Sequence, residues 1–336
     1  EPCVPVYTTG TSIDTGGQPR ESLRTVYGRI DQDIDRAIEL LEKARETTLA
    51  ENNKSHINLY VALGIKSRAC LAEGDWDGAF KAAKRVIDEG GYAVGTKSDL
   101  TGGMNSLDKQ NVMWGAGIQV ADQAGGYAGF FTHMDNKEGA YAKSAPKLIS
   151  KQLYNRISAT DIRRDWWDPS DKESPYVSKK FSFANVASFL GDYIYMRVEE
   201  MYFTAAEAAL RLDDLKSARE LMNTVMAERD PGYSANNRSG TLLGATTTTW
   251  TGSFLENILT HRRIELWGEY GRLFDVRRLG QGIDRRTDDG FSEECISMMN
   301  RRNVNITKAD TYDWVLTIPK AELDANPNIN EEDQNP

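Results

Sequence analysis

The sequence is poor in the residues that carry the most recognisable chemistry. Among its 336 residues there are 3 Cys, 3 His and 10 Pro. Cys3, Cys70 and Cys295 are scattered and form no C-x-x-C pair, so they support neither a disulfide framework nor a zinc or dithiol site and read as inert thiols. His56, His133 and His261 stand far apart, which weighs against a histidine-rich metal centre. No apolar run approaches the roughly 20 residues that a membrane-crossing helix needs. Acidic residues outnumber basic ones by 50 to 41, a formal net charge of −9. That sign repels phosphate backbones, and no Lys/Arg tract offsets it, so a nucleic-acid partner is not expected. No charged segment with an apolar stretch opens the chain, and Glu1 is not an initiator Met. This reads as a processed product or an internal fragment.

Catalytic signatures are missing too. There is no G-x-S-x-G elbow, phosphate-binding loop, G-x-G-x-x-G or H-E-x-x-H, and no calcium loop of EF-hand spacing. The adjacent acids Glu199-Glu200, Asp213-Asp214, Asp288-Asp289 and Glu293-Glu294 point different ways on a helix, so they are not facing pairs. His261 and Glu265, four apart, read as an ordinary helical contact rather than an acid–base pair. The residues suit a binder, with no catalytic residue, metal or cofactor expected.

What the chain does have is helical periodicity. Leu23, Tyr27, Ile30, Ile34, Ile38 and Leu41 recur at three- and four-residue spacing. A second helix is expected from an N-cap at Ser55 to Glu73, then a Gly74-Asp75 break and a third helix ended by Gly90-Gly91. The layout returns after residue 192: Tyr202 to Ala209, a turn at Asp213-Asp214, then Ala218 to Val225. Ser253 to Glu256 has capping-box spacing and opens another helix. In the second helices a small residue recurs, in Ala37-x3-Leu41, Ala79-x3-Ala83 and Ala218-x3-Met222, which lets paired helices approach closely. The pattern is tetratricopeptide-like, although its offsets are uneven. The expected fold is mostly α: helix pairs at 1–91 and 193–336, with an irregular, loop-rich insertion at 92–192.

The insertion is crowded with aromatics. Trp114, in an apolar run, and Trp167 read as core. Tyr127, Phe130 and Phe131 lie in a Gly-rich tract followed by Asp135 and Asn136, with Tyr141 and Trp166 further on. A flat ring beside amides and carboxylates suits a sugar, whose C–H face packs on the ring while its hydroxyls are hydrogen-bonded. These seven residues are the candidate ligand contacts.

In the C-terminal half, Tyr195-Met-Arg197-Val-Glu199-Glu-Met-Tyr202-Phe-Thr-Ala205-Ala-Glu207-Ala208 resembles the R-x-x-E-x-Y-L-x-x-A-E-A signature of the SusD/RagB family. Ala218 through Asn223 to Arg229, the block from Arg263 through Glu265, Glu269, Arg272 and Asp275 to Arg277, and the closing Ile318-Pro319 with Gln334-Asn335-Pro336 also resemble its motifs, in its order. Asp161-Ile-Arg163 is similar to its central D-x-R element, and Gly74-Asp75-Trp76 to an early repeat. Met226-Ala227-Glu228 and Tyr270 depart from the pattern. The resemblance implies a non-catalytic, cell-surface-exposed lipoprotein of a Gram-negative outer membrane. Such a protein captures oligosaccharide or polysaccharide and delivers it to a SusC-like TonB-dependent transporter. It also implies a longer protein, of which this chain is the C-terminal two-thirds, with the lipid anchor on the absent N-terminal segment rather than on Cys3. Alternatives are a peptide-binding member of the family, an α-helical glycoside hydrolase and a plain repeat scaffold. The charged blocks read as ion pairs that set helix packing.

Overall fold

The computed structural model describes residues 2–12, 14–45, 53–121, 128–236, 238, 252–282 and 315–335. Tyr127, Cys295, Asp288-Asp289 and Glu293-Glu294 lie outside the described residues.

Helix pairs dominate. The helices α1 (Leu23–Arg45), α2 (Leu59–Glu73) and α3 (Trp76–Glu89) pack in sequence. Helix α2 begins later than expected. Asn58 caps it, accepting from the Val61 amide at 2.9 Å, while the Ser55 hydroxyl accepts from the Gly117 amide at 3.2 Å instead. Gly74 ends α2 at φ +80°, a left-handed conformation that favours glycine, and Asp75 opens α3 by accepting from the Gly78 amide at 3.0 Å.

The insertion follows, with short helices α4 (Lys97–Thr101), α5 (Phe130–Met134), α6 (Ala140–Ser144) and α7 (Lys151–Tyr154). Its strands are β1 (Val112–Ala116), β2 (Trp167–Asp168), β3 (Val177–Ser178) and β4 (Tyr193–Arg197). Two antiparallel ribbons result, β1 with β4 and β2 with β3. The first is irregular, pairing Val112 with Arg197, Trp114 with Met196 and Gly115 with Ile194.

Strand β4 runs straight into α8 (Val198–Arg211), the centre of the molecule. Helices α3, α9 (Leu215–Ala227) and α10 (Phe254–Glu265) pack against it, and α11 (Arg272–Arg278) follows. The small residues do what their spacing predicts at two of the three places: Ala79 and Ala83 on α3 and Ala218 on α9 are buried, as are Ala205, Ala206 and Ala209 on α8, whereas Ala37 on α1 is only half-buried. Helices α2, α3, α8, α9 and α10 thus share one apolar core, in which Leu63, Val86, Met201, Phe203, Met222 and Ile258 meet. A second core lies under the insertion, where Leu100, Phe131, Leu153, Trp166, Trp167 and Phe181 pack with Ile264 of α10.

The chain's two described ends are stitched together. The Gln334 amide pairs with the Ile318 backbone in both directions, at 2.7 and 3.0 Å, as a neighbouring strand would. Arg20 donates to the Asp333 carbonyl and the Asn335 side chain, each at 2.8 Å.

Candidate functional site

An aromatic-walled cleft of about 510 Å³ opens where β1, β4, α2, α5 and the turn after α10 converge. Its shape follows from local rules. Along β4, Met196 is buried in the core, so alternation turns Tyr195 outward, where it is 41% exposed. Trp114 of β1 meets Tyr195 edge-to-face, ring centroids 5.1 Å apart. Phe130, Phe181, Tyr193 and Tyr270 continue the wall. Phe130 meets Phe181 at 5.2 Å in a T-shaped pair, and its amide donates to the Tyr193 hydroxyl at 3.4 Å. At Gly268 the backbone turns with φ +75°, and an added Cβ would sit 2.6 Å from the Phe181 ring. Glycine is required there on both counts.

Two charged side chains, Arg68 and Glu269, also line the cleft. The Arg68 guanidinium lies 3.7 Å over the Tyr270 ring, donates to the Tyr195 carbonyl at 2.7 Å, and grips both oxygens of Glu200 at 2.9 and 2.7 Å. Glu269 accepts two hydrogen bonds from Arg197, both at 2.8 Å, and one from Lys180 at 2.5 Å. Burial opposes the Glu269 charge, but Arg197 and Lys180 outweigh it and hold its pKa below the ordinary carboxylate value. For Lys180 burial wins over Glu269, and its pKa falls to about 8.

Behind the cleft lies a balanced ionic core. Glu265, fully buried, accepts from Arg163, Arg197 and Arg229 at 3.1, 3.0 and 2.9 Å. Around it, Arg163, Arg197, Arg229 and Lys180 face Asp161, Glu199, Glu265 and Glu269, four charges of each sign. A second set joins Arg262 to Glu200 and Asp275, and Arg278 to Asp275 and Glu207. Most of the charged motif residues are therefore packing devices. Arg262 and Arg278 supply the buried cations, each one position along its helix from Arg263 and Arg277. A rotation of about 100° per residue leaves Arg277 exposed. Arg272 instead donates to Gln281 at 3.4 Å. His261 and Glu265 are joined through Arg163, which donates to His261 Nδ1 at 2.8 Å. An arginine only donates, so Nδ1 is unprotonated; burial, then Arg163, hold the His261 pKa well below its ordinary value.

The sequence candidates separate. Phe130 lines the cleft. Phe131, Asp135 and Trp166 are corrected to structural roles, being 2%, 3% and 1% exposed. Asp135 accepts from the Lys137, Glu138 and Phe183 amides, all at 3.0 Å, and the Trp166 indole donates to the Leu100 carbonyl at 2.8 Å. Asn136 ties the Ser178 carbonyl to the Lys147 amide, both at 2.8 Å. Tyr141 is exposed and stacks on His133 at 4.6 Å, outside the cleft wall. Trp114, read as core, packs half-buried against the main core and also lines the cleft. Tyr193 and Tyr195 were missed as wall residues in the sequence; the signal available for them is the Tyr193-x-Tyr195 alternation, which places both on one face of β4.

The family model of the SusD family matches residues 133–336. The chain belongs to the SusD family. Solved structures agree with this SusD-family assignment over nearly the whole chain. A SusD-like carbohydrate binding protein from Bacteroides vulgatus is 26% identical, with a TM-score of 0.78, and the match covers 99% of this chain and 71% of that one. A SusD superfamily protein from Bacteroides thetaiotaomicron is 23% identical, with a TM-score of 0.76 over 100% and 71%. A surface glycan-binding protein A from Bacteroides uniformis is 17% identical, with a TM-score of 0.68 over 99% and 72%. No curated protein matches the sequence.

Proposed function

We propose that this SusD-family chain is a non-catalytic receptor that holds an oligosaccharide in the aromatic cleft. The observation that carries the reading is the wall of Trp114, Tyr195, Phe130 and Tyr270, in which Trp114 packs edge-to-face on Tyr195 and Arg68 lies over Tyr270. Rings held in place present π-faces to sugar C–H groups without an ordering cost on binding. The related B. vulgatus structure is that of a carbohydrate binding protein, which is consistent with this assignment.

Capture without turnover fits the charges. Glycoside hydrolysis needs two carboxyls, one of them a proton donor with a raised pKa. Among the described residues Glu269 is the only carboxylate of the cleft wall, and its pKa is lowered. Delivery to a SusC-like TonB-dependent transporter, at the outer face of an outer membrane, completes the proposed role. The stacked helix pairs give an extended rigid surface for such a partner.

Isothermal titration against a panel of neutral and acidic oligosaccharides tests the reading. Binding is expected for at least one glycan, with loss in Trp114→Ala. Reducing ends released from a bound glycan, or binding indifferent to Trp114, would overturn it.

A further inference from the structure

A second depression, of about 410 Å³, lies against the other side of the segment that ends the insertion's second ribbon. Phe181 lines the aromatic cleft, Lys179 lines this groove, and the buried Lys180 lies between them. The two cavities differ in chemistry. The groove is polar, bounded by Lys97, Thr160, Arg164, Asp168 and Lys179, with Trp167 also in its wall.

Trp167 carries the decisive atom. Its side chain is 1% exposed, packed edge-on against Trp166 and Trp267 at 5.8 Å each, and its indole N–H has no acceptor among the described residues. The neighbouring Trp166 indole, equally buried, does find a carbonyl. A buried donor left without a partner costs free energy comparable to a lost hydrogen bond. The indole nitrogen is itself closed to solvent, so a ligand oxygen recovers this bond once the ring edge turns toward the groove.

The charges say which oxygen. Asp161 is neutralised by Arg163, and Asp168 is shared between the Ser170 hydroxyl at 2.7 Å and Lys179 at 3.7 Å. Arg164 has one nitrogen on the Ile157 carbonyl and its plane over the Tyr154 ring at 4.3 Å. Lys97, Arg164 and Lys179 therefore oppose only Asp165 and Asp168, a local positive excess in a chain of net charge −9. Such a place draws an anionic oxygen, while the remaining carboxylates accept from hydroxyls.

We infer that this groove is a second sugar subsite that takes a carboxylate-bearing residue, a uronate, of an acidic oligosaccharide. The inference rests on the reading of the chain as a glycan receptor. The uronate carboxylate accepts from the Trp167 indole and pairs with Lys97 and Lys179, and its ring hydroxyls donate to Asp168.

The probe is trigalacturonate, with galactotriose as its neutral counterpart. Titration calorimetry is expected to show trigalacturonate binding that weakens with added salt. It should weaken about tenfold in Trp167→Phe and in the double variant Lys97→Gln/Lys179→Gln. Both lysines are exposed, so the double variant keeps the test sharp if Trp167→Phe fails to fold. The Trp167 indole N–H resonance should shift with trigalacturonate and stay in place with galactotriose. Trigalacturonate binding unchanged in the double variant, or no binding at all, overturns the groove. Sensitivity to Trp114→Ala alone also overturns it, while leaving the aromatic cleft standing as the glycan site.

Discussion

Arg229 and Glu265 meet in a two-pronged ion pair, Nε to Oε2 at 2.9 Å and Nη2 to Oε1 at 3.0 Å, with neither side chain exposed. Arg229 also reaches the Gly95 carbonyl at 2.6 Å and Glu199 at 2.8 Å, so one guanidinium ties α8, α10 and the start of the insertion. Removing one partner leaves the others charged and buried. Glu265→Gln is expected to cost about 3–5 kcal/mol in urea unfolding. A loss under about 1 kcal/mol would mean that the ionic core contributes little to holding the helices.

The same core sets an acid limit. Burial alone would raise the carboxyl pKa values of Glu207, Glu265, Glu269 and Asp275, but their cationic neighbours outweigh it and all four are lowered. In the unfolded chain these groups return to about 4, so below that the unfolded state binds more protons. The stabilisation is present above about pH 5 and is lost as pH falls through the folded values. The melting temperature should drop steeply below pH 5, and the drop should be shallower in Glu207→Gln. A melting temperature level down to pH 3 would contradict the ionic assignment.

Trp114→Ala and Tyr195→Ala remove one face each of the edge-to-face pair. Aromatic contacts of this kind are worth about 0.5–1.5 kcal/mol beyond area. Each change is expected to weaken binding of whichever glycan the panel identifies by about tenfold. Tyr195→Ala, at a residue 41% exposed, should leave the melting temperature nearly unchanged. Affinity unchanged from the parent protein in both variants would remove the cleft from consideration.

Gly268→Ala combines backbone strain at φ +75° with a Cβ that meets Phe181. The expected outcome is a loss of about 1–3 kcal/mol, with weakened ligand binding because Phe181 is part of the cleft wall. Calorimetric melting and the glycan titration together check it. An unchanged variant would show that this turn adapts.

Cys70 lies in α2 at 1% exposure, and burial, with Asp75 nearby, pushes its thiol pKa up to about 12. It should resist alkylation by iodoacetamide at pH 8 in the folded protein and react once urea unfolds the chain. Prompt labelling of Cys70 in the native state would show that α2 opens readily.

The paired helices were legible because each carries its own punctuation. Asp75, Asp214 and Ser253 accept from amides three residues on, and the Gly74 left-handed cap ends α2. Local contacts of that sort are written within a few residues. The start of α2 is ambiguous in the sequence because Ser55 and Asn58 both cap well in isolation, and only the packing of Ser55 against Gly117 decides between them. The ligand wall was harder. Phe130 and Phe131 are neighbours in a Gly-rich tract, yet one lines the cleft and the other fills the core.

By itself the sequence determined the mostly helical fold and the order of the helix pairs, since periodicity and caps are local properties, whereas the choice of Arg262 and Arg278 over Arg263 and Arg277 as buried cations came from packing. Which rings face a ligand was decided by tertiary structure alone. The cleft is assembled from α2, β1, α5, β4 and the turn after α10, stretches up to about two hundred residues apart, from Arg68 to Tyr270. Only their convergence separates an aromatic that packs from one that binds.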